Sequence, residues 1–283
     1  MKKILLTGGS GFIGKNISEE LSKSYKITSL IRKKKKITIH KNINYLYFKD
    51  LNYLDQILKK EKFDIIIHCA THYKKIHNEN DIKKMIDANI YLGNIILDNY
   101  KNIKFTKFIN FTTVWENFDG LKNNPPNLYS AYKLSFSNII KFYQKQLPKV
   151  NFYNLYLSET FGLNDKRKKI LSTIKKNYKK NSPTAIVSKN LSINIINIKD
   201  IVLAINIVLT KKIKKGSYAL INNKRTSVHQ LISEFNKFNK KKIKFIWMSA
   251  KIIKEKMFNY KKIPGWYPQN SSIKDLIKYI ANR

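Results

Sequence analysis

The chain has 283 residues, 43% of them apolar, one cysteine and a formal charge of +38. Enough apolar chain for one large domain or two closely built ones excludes disorder throughout, and the lone Cys69 excludes an internal disulfide or a cysteine-based zinc site, so no metal is expected. Of the 56 basic residues 52 are lysine and only Arg32, Arg167, Arg225 and Arg283 are arginine, a spread that reads as a solvated basic surface written by AT-rich codons rather than a nucleic-acid interface.

An apolar strand from Ile4 to Leu6 opens the chain, followed by a glycine-rich turn, a helix from Phe12 to Lys23 and a strand from Lys26 to Ile31. Met1-Lys2-Lys3 leads into only three apolar residues before the glycines, so no secretory leader and no membrane span is expected, and the setting is read as cytoplasmic. Thr7-Gly8-Gly9-Ser10-Gly11-Phe12-Ile13-Gly14 places four of nine glycines within seven positions, between a strand and a helix. In that context the pattern reads as a dinucleotide site. Gly8, Gly11 and Gly14 let the backbone approach a pyrophosphate, whose charge lies at the helix N-terminus beside Phe12 and Ile13. The second strand ends in Ile31-Arg32-Lys33, with no acid between Tyr25 and Tyr45. A carboxylate there would hold the ribose 2′-hydroxyl of NAD, whereas Arg32 suits a 2′-phosphate, so NADP(H) is expected, with NAD(H) as the alternative. Lys33 to Lys36 reads equally as an exposed loop or a phosphate-binding run.

The alternation continues. A helix from Tyr53 to Lys60 precedes Ile65-Ile66-Ile67, a helix from Ile82 to Tyr100 precedes Phe108 to Phe111, and a helix from Tyr129 to Gln146 precedes Phe152 to Leu157. Strands separated by helices predict an α/β fold, a Rossmann-type doubly wound parallel sheet. Beyond Phe161 follow a lysine-rich helix, a strand-like Thr184 to Val187, a helix from Asp200 to Leu209 and a last helix from Ile273. No linker separates the halves, so residues 1–161 are expected to form the dinucleotide-binding domain and 162–283 a smaller C-terminal α/β substrate-binding lobe, interwoven with it.

A tyrosine four residues before a lysine occurs three times, at Tyr45 with Lys49, Tyr100 with Lys104 and Tyr129 with Lys133, about the number that 17 tyrosines and 52 lysines produce by chance. Only Tyr129 opens a long helix directly after the Pro125-Pro126 loop, itself following a strand that ends in Thr112-Thr113. One helical turn puts Lys133 on the same face as Tyr129, where an ammonium favours the phenolate and suits Tyr129 to general acid or base work.

These motifs together resemble the extended branch of the short-chain dehydrogenase/reductase superfamily, the nucleotide-sugar epimerases, dehydratases and reductases. The resemblance implies that Lys133 also bonds the nicotinamide ribose and that Thr113, with Thr112 as the adjacent alternative, holds the substrate oxygen beside Tyr129. It places Asp50-Leu51 against adenine, the His68-Cys69-Ala70-Thr71 segment beside the cofactor, with Thr71 on the substrate side, and Asn89 on the cofactor. Glu159 falls in the segment that closes over the sugar, and Ile198-Lys199-Asp200-Ile201 matches the family's Val-x-Asp-Val, where Asp200 also reads as a helix N-cap. Gly265-Trp266-Tyr267-Pro268 matches a family tail.

A dehydratase of this family carries an acid pair directly after the catalytic threonine; Val114 and Trp115 stand there, with Glu116 one place too far. The short separation of Thr113 from Tyr129 and the Gly-Trp-x-Pro tail resemble the synthases of CDP-abequose and CDP-paratose. The expected function is therefore NADPH-dependent reduction of the 4-keto group of a nucleotide-linked deoxysugar for surface polysaccharide, with an NAD-dependent nucleotide-sugar 4-epimerase as one alternative and a non-catalytic NADP-binding regulatory protein as another. The family's diphosphate-clamping arginine is missing, since the chain reads Leu191-Ser192-Ile193-Asn194, and Tyr156 replaces a second arginine. By fold analogy a homodimer would pair the helices carrying Ile95, Ile96, Ile139 and Phe142, side chains that packing within one subunit would equally explain.

Overall fold

The computed structural model describes residues 1–32, 40–100, 105–249 and 255–281; the run Lys33 to Lys36 lies outside them. The chain opens with β1 (Lys3–Thr7), α1 (Phe12–Leu21), β2 (Lys26–Ile31), β3 (Ile43–Tyr47), α2 (Leu51–Leu58) and β4 (Ile65–His68). α3 (Glu79–Ile86) and α4 (Leu92–Tyr100) flank a π-helical turn at Asp87–Tyr91, and β5 (Lys107–Thr113), α5 (Leu128–Gln146) and β6 (Asn151–Leu157) follow. Then come β7 (Glu159–Phe161), α6 (Ile170–Lys179), β8 (Thr184–Ile186), β9 (Ser192–Ile193), β10 (Ile195–Asn197), α7 (Ile198–Thr210) and β11 (Gly216–Leu220). β12 (Thr226–Ser227), α8 (Val228–Phe238), β13 (Phe245–Trp247) and α9 (Ile273–Ala281) complete the order.

Seven strands form the main sheet in the order β11-β6-β5-β4-β1-β2-β3, and the five pairings from β6 to β3 are parallel. Helices cover parallel strands on both faces, which is why β4 reads Ile-Ile-Ile-His with all four residues buried. The order reverses between β1 and β4, and ligands of such sheets bind outside the carboxyl ends of the strands at that switch point.

The chain divides into two compact units. The first comprises 1–157, 210–219 and 256–262; the second comprises 158–209, 220–255 and 263–283. In the first, Leu5, Leu54, Ile66, Ile96, Phe108, Phe136 and Phe152 belong to one core. Of the side chains considered for pairing, Ile96 is fully buried and Ile95 and Ile139 pack against the same core, the alternative of packing within one subunit, while Phe142 is exposed. The second unit has its own core of Phe161, Ile174, Ile186, Leu231, Phe235 and Leu276.

One helix was expected from Ile82 to Tyr100, but the segment starts at Glu79 and is broken by the π-turn. Asn78 starts it early because its side chain accepts the Asp81 N–H at 2.9 Å, and the extra residue of the π-turn carries Asn89 into the interior. Asp200 is corrected too. It is the third residue of α7 rather than its N-cap, and it is fully buried. Its carboxylate accepts the N–H groups of Gln269 and Asn270, the Asn270 amide and the Ser271 hydroxyl, while its carbonyl accepts Trp266 Nε1–H at 2.9 Å. This one side chain fixes the Gly265-Trp266-Tyr267-Pro268 tail within the second unit.

Candidate active site

A cavity of about 540 Å³ lies at the switch point, in the first unit. Thr7, Gly8, Ser10 and Gly11 form one wall, Leu30, Arg32 and Phe48 another, and Cys69, Ala70, Thr71, His72, Lys84 and Leu92 the rest. Most of these residues lie at or just beyond the carboxyl ends of β1, β2, β3 and β4, and Lys84 and Leu92 reach the wall from α3 and α4. Gly8 is required by its left-handed backbone (φ +71°) and because a Cβ would stand 2.8 Å from the Ala70 nitrogen. A Cβ on Gly14 would stand 2.4 Å from the Gly8 carbonyl oxygen, so α1 packs directly onto the turn. Gly11 occupies the N-cap of α1 and no side chain caps that helix, leaving the cap position to a ligand's anion. Phe12 and Ile13 form the first helical positions beside it.

The wall carries two charged side chains among the described residues, Arg32 and Lys84, both cationic, and no carboxylate. Burial lowers the pKa of His72, and the charges of Arg32, Lys74 and Lys84 push it the same way against the carboxylate of Asp81. A glycine turn, an uncapped helix start, cationic walls and apolar patches at Leu30, Phe48 and Leu92 together fit a dinucleotide. Gly14→Ala is expected to weaken dinucleotide binding at least about tenfold while costing about 1–3 kcal/mol of stability, from backbone strain at the turn. Fluorescence titration and urea unfolding check both, and unchanged affinity would remove the turn from the site.

Several predicted residues act on the protein itself. Thr7 Oγ1 accepts the Ala70 N–H at 3.0 Å and lies 3.0 Å from His68 Nδ1, so its one proton is free to go to that ring nitrogen. His68 is fully buried and held neutral; burial, then the charge of Lys133, pushes its pKa down to about 3. Asn89 Oδ1 accepts from the Thr71 hydroxyl at 2.7 Å and from His72 N–H at 3.3 Å, and its Nδ2 donates to the His72 carbonyl at 2.9 Å. Asn89 therefore locks the segment after β4, with its amide engaged by that loop. Asp50 accepts the Tyr53 N–H at 2.8 Å and caps α2, Leu51 packs on the core, and neither belongs to the cavity wall. In the second unit Glu159 pairs with Lys169 at 3.0 Å.

β5 ends in Thr112-Thr113, and the two hydroxyls have different partners. Thr112 Oγ1 is bonded to the Glu116 carboxylate, whereas Thr113 Oγ1 accepts the Trp115 N–H at 3.2 Å and keeps its own proton to donate. Tyr129 stands in the first turn of α5, which Asn127 caps by accepting the Ser130 N–H. The Tyr129 ring meets Tyr73 edge-on, centroids 5.1 Å apart, and Tyr73 in turn touches Trp115. One turn on, Lys133 is 2% exposed, and burial lowers its pKa to about 8, partly opposed by the charge of Glu116. Sequence reasoning set Glu116 aside as misplaced for a dehydratase and passed over Phe48 and Lys84, and it noted Tyr73 only as the aromatic that follows the His68 to Thr71 segment. Ser137, one turn beyond Lys133, was the available signal for Glu116.

Thr113, Tyr129 and Lys133 are not among the residues lining the cavity, but a parallel sheet with a glycine-turned cavity at its switch point, and a tyrosine and lysine one turn apart on α5, together define a dinucleotide-dependent enzyme. The chain belongs to the NAD dependent epimerase/dehydratase family, which matches residues 4–222, and is an oxidoreductase-type enzyme of the extended short-chain dehydrogenase/reductase class. It is similar to CDP-abequose synthase of Yersinia pseudotuberculosis, 28% identical over 206 residues covering 72% of this chain and 71% of that protein. CDP-abequose synthase of Salmonella muenchen is 29% identical over 222 residues, covering 77% of this chain and 73% of that one. In fold the chain is similar to UDP-glucuronic acid 4-epimerase from Bacillus cereus, solved with UDP-glucuronic acid and NAD. The TM-score is 0.82 at 19% identity, covering 99% of both chains. Among the described residues no helix is long and apolar enough to cross a membrane, and no group of three or more His, Cys, Asp or Glu side chains is placed to hold a metal ion.

Proposed function

We propose that this enzyme is an NADPH-dependent reductase acting on the 4-keto group of a nucleotide-linked deoxysugar, with CDP as the nucleotide its relatives suggest. The observation that carries the reading is Arg32 on a cavity wall that has no carboxylate among the described residues, since a ribose 2′-phosphate needs a cation where a 2′-hydroxyl needs an acceptor. The names of the two similar synthases support the substrate class.

The chemistry that a bound nicotinamide supplies is hydride transfer to a carbonyl carbon. The remaining work falls to this chain. Thr113, whose oxygen already accepts from Trp115, presents its O–H to the carbonyl oxygen and fixes the substrate's rotation. Tyr129 holds the proton that this oxygen takes up, and its ring is oriented by Tyr73. Lys133, buried on the same helical face, supports the phenolate left behind and holds the cofactor ribose. Its ammonium is present below about pH 8 and lost above, so turnover falls as pH rises through that value. Arg32 and Lys84 hold phosphate groups, and Leu30, Phe48 and Leu92 exclude water from the adenosine end. Glu159 and Thr71 stay assigned to the substrate side by resemblance.

Titration of the purified protein with NADPH and NADH, followed by NADPH oxidation with a panel of nucleotide-4-keto-6-deoxy sugars, tests the reading. NADPH is expected to bind preferentially, and Arg32→Ala to weaken it about 10- to 100-fold, the loss of one charge-assisted contact, while NADH is little affected. Tightly held NAD⁺ with no net consumption would replace this reading with a 4-epimerase, if a nucleotide sugar is interconverted with its C4 epimer, or with a regulatory protein, if none is.

A further inference from the structure

The mechanism above leaves the buried carboxyl group of Glu116 unused. Glu116 closes a 3₁₀ turn directly after Thr113 and is 1% exposed. Its Oε1 is bonded by the Thr112 hydroxyl and accepts from the Ser137 hydroxyl at 2.8 Å, and the Tyr156 hydroxyl bonds to the same carboxyl group. Ser137 is held in turn by Asn154 Nδ2 at 3.0 Å, and Asn154 Oδ1 by Asn110 Nδ2 at 2.6 Å. Hydroxyls and amides on β5, α5 and β6 therefore build a socket for one carboxylate in the interior of the first unit.

The socket has a definite place on α5. Tyr129, Lys133 and Ser137 follow one another at intervals of four, so they form a single stripe along that helix. Tyr129 is partly exposed at the outer end, Lys133 and Ser137 are buried, and Glu116 is attached at the inner end through Ser137. A buried ammonium without a counter-charge is costly, as is a buried carboxylate, and each offsets the other's cost when both are ionised. The two hydroxyls on Glu116 Oε1 favour its charge, and Oε2 is buried and makes no hydrogen bond, so the field of the neighbouring Lys133 adds to them.

We propose that Glu116 is a positioning residue: the counter-charge that keeps Lys133 an ammonium, and through it sets the alkaline limit of Tyr129 chemistry. The inference rests on the role given to Lys133 above. The other groups around this lysine cannot do the same work. His68 is neutral, the Cys69 thiol is pushed up by burial and stays protonated, and Tyr156 is pushed up by burial and by Glu116 itself. Burial also raises the Glu116 pKa, while Thr112, Ser137 and Lys133 pull it down.

Protein labelled with ¹³Cε-lysine reads the charge of Lys133 directly, without any substrate. One resonance, absent from Lys133→Met, is expected to titrate near pH 8, well apart from the surface lysines. In Glu116→Gln it is expected to titrate about one pH unit or more lower, the usual effect of losing a close opposite charge. Ser137→Ala and Thr112→Val, which loosen the carboxylate without deleting it, are expected to move it the same way by a smaller step, and they carry the test if Glu116→Gln does not fold. The alkaline limb of turnover is expected to follow the resonance. An unchanged titration in all three variants overturns the proposal. A moved titration in a protein that turns over no nucleotide sugar supports the counter-charge and rejects the reductase reading, so the two fail separately.

Discussion

Tyr129→Phe is expected to lower kcat by about 10²- to 10⁴-fold, the range that a positioned proton donor contributes, while dinucleotide affinity stays within about twofold of wild type. The substitution removes one oxygen from a ring whose place is set by Tyr73 and by the capped first turn of α5, so those contacts persist. Single-turnover oxidation of NADPH with the accepted sugar measures it. Residual activity above about a tenth of wild type would mean that another group delivers the proton, with Thr113 the next to test.

Asp200→Ala is expected to cost on the order of 3–5 kcal/mol, because it strips the acceptor from four donors at once. The N–H groups of Gln269 and Asn270, the Asn270 amide and the Ser271 hydroxyl would all lose their partner. Trp266 keeps its bond, since that goes to the backbone carbonyl. Asp200→Asn retains acceptor capacity and is expected to lose less. Urea unfolding followed by the fluorescence of buried Trp266 reports on this tail; a variant with the wild-type midpoint would show that Asp200 does not hold it.

The parts of the molecule that repeat a period were legible from the residues. Alternating apolar runs and helices gave the class of a doubly wound parallel sheet, though not its order nor the strands β3 and β11, and the glycine turn gave its cavity. The four-residue interval gave Tyr129 and Lys133. What stayed hidden depends on contacts between distant residues. Asn89 looks like a polar residue on a helix, and only the π-turn carries it to the loop after β4. Glu116 looked misplaced when counted from Thr113, yet its partners Ser137 and Tyr156 come from α5 and β6. Of the short strands only β8 was read, as Thr184 to Val187; β7, β9 and β10 were missed because two or three residues carry no period.

β6 ends at Leu157, but its outer neighbour in the sheet, β11, does not begin until Gly216. During synthesis the hydrophobic run Phe152 to Leu155 therefore leaves the ribosome as an open edge and stays one until residue 220 has been added. At ~5–20 residues per second that delay lasts roughly 3 to 13 seconds, a period in which the growing chain exposes unpaired strand groups to other chains. Expression of the first 157 residues alone would make that interval permanent, so such a fragment is fated to self-associate, and shortening the segment between the two strands is the direct way to hasten maturation.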